Sequence, residues 1–228
     1  MREGEQPVYV CDQVREVERL YRDLLTEAVR RLPIREQLDR QANRLVEGHR
    51  AGDRAVVPQI TCWHPRLACR SADDIMTSAL TLEDARQTLA REYGFADWSH
   101  AEAEGVDPPD ADFEFAVDTL LRGDVETLRG LLAGDPSLVH RRSRFGHRST
   151  LLHYIGSNGV ETYRQRVPLN LAEVTRLLIE AGADVNATAG MYGGGSTALG
   201  LLVTSDHPAR AGVTADVRKV LEAAGARE

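Results

Sequence analysis

The sequence predicts an all-α fold, with a helical N-terminal region over residues 1–107 capping a short helical solenoid over residues 112–228. Three observations predict it. Apolar residues fall on helical stripes, as Leu171, Val174, Leu177 and Leu178 do at i, i+3, i+6 and i+7. The apolar pairs Leu131-Leu132, Leu177-Leu178 and Val220-Leu221 recur and mark a repeated unit of paired helices. Apolar content of 42% and charged content of 28% are ordinary for a soluble globular chain. Two or three such units cannot bury a core alone. The N-terminal half is therefore expected to stack on them as one continuous solenoid rather than an independent domain.

Residues 1–9 read as a loose tail. Val14, Val17, Leu20, Leu24 and Leu25 share one stripe and predict a long helix from Asp12 to Leu32. Pro33 ends it and starts the next, which carries Leu38, Ala42, Leu45 and Val46 to about Gly52. A short helical piece spans Ala55 to Cys62, and the chain turns at His64-Pro65-Arg66-Leu67. Thr81 followed by Asp84 is an N-cap signal for a helix from Leu82 to Glu92, closed by Gly94. Asp97 caps a last short helix through Trp98, and Gly105 with Pro108-Pro109 marks a linker or corner. Beyond it, Phe113, Ala116, Val117 and Leu120, then Val125, Leu128, Leu131 and Leu132, predict a first helix pair. Thr150 caps a helix carrying Leu151, Leu152 and Ile155. Its partner carries Leu171 to Leu178 and ends at Gly182, where positive φ is wanted. A third pair runs from Ser196 to Ala226.

Thr150-Leu151-Leu152-His153, the leucine pair at 177–178 and Gly182-Ala183-Asp184-Val185-Asn186-Ala187 strongly resemble an ankyrin repeat. The resemblance covers about three repeats, the first degenerate, and implies a binding scaffold. Residues 51–98, and Ala90-Arg91-Glu92-Tyr93-Gly94-Phe95-Ala96-Asp97-Trp98 above all, resemble the helical region that precedes ankyrin repeats in many bacterial proteins. The apolar pairs lie 46 and 43 residues apart, against an ankyrin period of about 33. Two inter-helix insertions are therefore expected, around Glu161–Leu169 and Ser205–Val213. Stacked in register, they would form one wall carrying Tyr163, Arg164, Arg166, His207 and Arg210.

Composition narrows the function classes. Formal net charge is −7, which argues against general nucleic-acid binding. No apolar run is long enough for a membrane span, and none follows Met1 as a signal segment, so a cytoplasmic location is expected. Cys11, Cys62 and Cys69 fit a reducing compartment. Cys62, His64 and Cys69 lack a fourth ligand for a closed zinc site, so no metal and no cofactor are expected.

Six arginines and one acid, Glu161, lie between His140 and Arg166. Arg144 and Arg148, with His147, form the electropositive part, a solvated face or a seat for an acidic ligand or partner segment. Tyr192-Gly193-Gly194-Gly195 precedes a helix start and is either a flexible tip or an anion-binding loop. His153 sits where ankyrin repeats use a histidine to tie neighbouring turns. Tyr154 faces the concave groove or packs inward. The leading expectation is a module that binds a protein partner through its concave face and inserted loops. The alternative is a small-molecule-binding protein or acid–base enzyme (isomerase, cyclase or lyase type). It would hold a small anionic ligand between those loops and the glycine finger, with His153, Tyr154 and His207 as catalytic candidates. Ligand-binding candidates are Arg144, His147, Arg148, Tyr163, Arg166, Tyr192, Gly194 and Arg210.

Overall fold

The computed structural model describes residues 6–227, and helices dominate it. No helix among these residues is long and apolar enough to cross a membrane.

The N-terminal half contains helices α1 (Asp12–Leu20), α2 (Glu27–Arg30), α3 (Ile34–Arg50), α4 (Val57–Trp63), α5 (Ala72–Thr77), α6 (Leu82–Glu92) and α7 (Trp98–Glu104). The single helix expected over 12–32 is interrupted. Tyr21 leaves helical geometry (φ −104°, ψ 8°), and its buried ring places the hydroxyl 2.6 Å from Gln59 Oε1, to which it donates. Leu24 and Leu25 therefore reach the core from a turn. Helix α5 was not anticipated; Ser71 starts it by accepting a hydrogen bond from Asp74 N. Thr81 and Asp84 close a capping box on α6, and Asp97 accepts from His100 N to start α7. Helix α3 packs against α6, and their apolar faces, with Val17, Ile60 and Tyr93, form one core.

The C-terminal half opens with α8 (Ala111–Leu121) and α9 (Val125–Gly134), capped by Asp110 and Asp124. The helix expected at Thr150 is a six-residue 3-10 helix, Leu151–Gly156. Its end has a packing cause: a Cβ on Gly156 would stand 2.7 Å from Leu201 Cβ, and Ser157 turns left-handed (φ 46°). Helices α10 (Leu171–Glu180), α11 (Ala198–Val203), α12 (Asp206–Arg210) and α13 (Thr214–Ala223) complete the chain. Phe113, Leu120, Leu152, Leu178, Leu202 and Leu221 belong to the second core.

Among the described residues, four two-residue strands pair antiparallel. Strands β3 (Thr188–Ala189) and β4 (Ser196–Thr197) make the glycine finger. Strand β1 (Val8–Tyr9) pairs with β2 (Val167–Pro168), so the tail expected over residues 1–9 is docked where it is described; residues 1–5 lie outside the described residues.

The halves meet closely. Gly94 has φ +80°, and a Cβ there would lie 2.2 Å from His147 N, which itself donates to Tyr93 O at 3.1 Å. Phe145 and Tyr163, from the C-terminal half, belong to the N-terminal core.

Candidate functional site

The first insertion does not form an exposed wall; it fills the junction between the halves. Arg166 pairs with Glu18 of α1 at 3.0 Å, and Leu169 N donates to Pro7 O at 2.9 Å. Thr162 N donates to Glu92 Oε1 at 2.9 Å, and Gln59 Nε2 donates to the other oxygen of that carboxylate. The second insertion stands apart, with β1 intervening. His207 and Arg210 face Tyr9–Gln13 across a separate cleft, and Arg210 pairs with Asp206 at 3.5 Å. Burial overrode the expectation of a shared wall, because Arg164 finds its carboxylates inside the molecule.

Arg164 is 3% exposed and is the hub. Its guanidinium binds Glu114, Glu161 (3.1 Å) and Asp118 (2.9 Å), and Asp118 also takes Arg30. Burial pushes the Glu114 carboxyl up to about 7, against the pull of Arg164 and with added repulsion from Glu161. Glu161 is raised for the same first reason. Burial opposes ionisation of Asp118 too, yet two guanidiniums hold it below the usual carboxylate range. Four buried atoms at this hub lack a hydrogen-bond partner: Glu114 Oε1, His147 Nε2, Tyr154 Oη and Glu161 Oε2. His147 Nδ1 accepts from Ser149 N at 3.2 Å, so its proton resides on Nε2, 3.9 Å from Glu161. Burial lowers His147 to about 3, helped by Arg164 and Arg148. Tyr154 does not face a groove; its ring lies against Phe113 and His147 and is fully buried.

A cleft of about 370 Å³ opens beside this hub, walled by Phe115, Phe145, Pro108 and Pro109 and reaching Arg30, Glu114, Asp118, Tyr163 and Arg164. Of the expected ligand-binding residues, Tyr163 alone lines it.

The other candidates disperse. His153 Nδ1 accepts from Thr150 N (3.1 Å), and its Nε2 donates to Ala187 O (3.1 Å), which ties the buried ring to the neighbouring turn. Burial lowers it to about 4. Arg144 donates to Pro108 O and Arg148 to Glu104, so the arginine finger joins neighbouring segments. At the glycine finger, Gly194 N already donates to Met191 O, which removes one amide from the expected anion loop.

Tyr192 holds a left-handed backbone (φ 54°), is 61% exposed and stacks on Trp63 at 5.6 Å between ring centroids. The two rings border a trough of about 530 Å³ lined also by Arg91, Phe95, His100 and Gly194. Among the described residues no carboxylate lines the trough and Arg91 has no ion-pair partner.

No protein-family model matches the chain, and no curated protein or solved structure matches it significantly.

Sequence reasoning missed Glu92, Glu114, Asp118, Arg30, Trp63 and Arg91. One signal was available: Glu114 and Asp118 stand i, i+4 on a helix, and Glu161 and Arg164 stand i, i+3, spacings that place each pair on one face. Trp63 carried no such signal, since its stack is made with a residue far along the chain.

Proposed function

We propose that this chain is a binding module of the ankyrin-repeat type that captures an extended segment of a protein partner in the trough between α4 and the glycine finger. The observation that carries the reading is the Trp63–Tyr192 stack: a large aromatic surface, exposed at Tyr192, over an open trough beside Arg91, which has no ion-pair partner among the described residues. Aromatic and arginine side chains dominate protein interfaces because they contribute large contact area and forked hydrogen bonding at modest entropic cost. The absence of carboxylates in the lining favours an acidic segment, whose apolar or aromatic side chain covers the stack while its carboxylate meets Arg91. The dispersal of His153, His207 and Tyr192 supports a binding role over acid–base chemistry among those three, because they border no common cleft. The contact surface proposed is narrower than the sequence suggests, since the first insertion is buried at the junction.

The test is selection from a displayed random-peptide library on the full chain. Peptides combining an acid with an aromatic residue are expected, and Tyr192→Ala or Trp63→Ala is expected to weaken them at least about tenfold. Arg91→Glu should select basic peptides instead. If no peptide is enriched, or if the three variants enrich the same peptides as the wild type, the reading fails.

A further inference from the structure

The junction cleft, distinct from the trough, carries a site of opposite preference. Its local charge is unbalanced. Three carboxylates, Glu114, Asp118 and Glu161, face two guanidiniums, Arg30 and Arg164. Glu92, fully buried behind them, is raised by burial and by Glu161, and its two oxygens accept from Thr162 N and Gln59 Nε2, so it stands outside this count. His147, neutral and with its Nε2 proton toward Glu161, does not correct the deficit. Glu27 and Arg31 also line the cleft but pair with each other at 3.2 Å and cancel, while Tyr93, Tyr154 and Tyr163 are raised by burial and stay neutral. One positive charge is missing.

Two side chains lining the cleft are more than nine-tenths buried and incompletely satisfied. Glu114 is 6% exposed with Oε1 orphaned; Tyr163 is 9% exposed, and its hydroxyl makes no hydrogen bond among the described residues. Above them stand flat apolar walls: Phe115, 48% exposed, with Phe145, Pro108 and Pro109. Apolar walls around a few convergent polar groups are the usual form of a small-molecule site. The volume of about 370 Å³ suits one ring with a polar head.

We infer that the junction cleft binds a small organic cation with a flat body and a hydrogen-bond-donating head, of the amidinium or guanidinium class, directed at Glu114 and Tyr163. In the empty cleft a proton on Glu114 supplies the missing charge, since burial above all, with repulsion from Glu161, raises that carboxyl to about 7. The ligand's head replaces this proton, so binding releases it. The preference is opposite to the anionic ligand expected from the arginine count, because burial has already committed Arg30 and Arg164 to carboxylates.

The probe is benzamidine, with benzoate and neutral benzamide as isosteric controls, titrated calorimetrically into the full chain in buffers of different ionisation enthalpy. Benzamidine is expected to bind, to release protons near pH 7 and to bind about tenfold more tightly at pH 8 than at pH 6, the ratio of ionised Glu114 at those values. Glu114→Gln should weaken binding and abolish its pH dependence, while Trp63→Ala in the trough leaves both unchanged. Should Glu114→Gln fail to fold, proton release and pH dependence in the wild type decide the question. Stronger binding of benzoate, benzamidine binding without proton release, or no benzamidine binding would each overturn the inference.

Discussion

Arg164→Met tests the central claim about the junction, that the insertion's arginine is structural rather than exposed. The substitution keeps much of the side chain's volume and removes the one buried arginine among the described residues. Glu114 and Glu161 would then lose their only guanidinium, while Asp118 would retain Arg30. Removing one partner of a buried ion pair costs about 3–5 kcal/mol, because the remaining charge stays desolvated and unpaired. That is a large share of a typical total stability of about 5–15 kcal/mol. It corresponds to a Tm loss of roughly 6–20 °C for a chain of this length. An exposed arginine would cost at most about 0.5 kcal/mol. Urea denaturation at pH 7 reads the difference directly. The loss should shrink towards pH 5, where the raised carboxyls of Glu114 and Glu161 take up protons and need no cation. Adding Glu114→Gln and Glu161→Gln should restore part of it. A loss under about 1 kcal/mol, or one independent of pH, would refute the reasoning.

Two further perturbations probe the packing and the buried histidines. Gly94→Ala should destabilise by several kcal/mol in the same assay, because its positive φ and the 2.2 Å approach of His147 N both forbid a Cβ; a near-neutral result would mean the halves do not meet as described. His153 is depressed to about 4, so its neutral form contributes stability that is present above its unfolded value of about 6.5 and lost as pH falls through 4. The stability advantage of wild type over His153→Gln should therefore shrink by roughly 2–3 kcal/mol between pH 7 and 4.5, and an unchanged gap would contradict the buried, doubly bonded ring.

The legibility of this chain followed the range of the interactions involved. The capping box at Thr81–Asp84, the cap at Asp97 and the stripe Leu171–Leu178 are local, with partners within one or two turns, and the helices they specify stand where the sequence places them. The break at Tyr21 was not legible, because its cause is Gln59, 38 residues away. The short 3-10 segment after Thr150 likewise depends on the approach of Leu201 to Gly156. Of the site residues, His153, named both as a tie between turns from the repeat resemblance and as a catalytic candidate, lies buried with its Nε2 3.1 Å from Ala187 O. Arg164 and Tyr163 were identified as unusual but given the wrong surroundings.

By itself the sequence determined an all-α chain, most helix boundaries and an interrupted segment around Glu161–Leu169 that regular helix pairing does not require. Tertiary structure decided which way that segment faces. An arginine is indifferent to burial until its partners are known, and two of the three partners of Arg164, Glu114 and Asp118, lie on α8, about 50 residues earlier. Once Glu114 and Asp118 are desolvated beneath the N-terminal half, their attraction for a guanidinium outweighs its hydration, and the insertion turns inward.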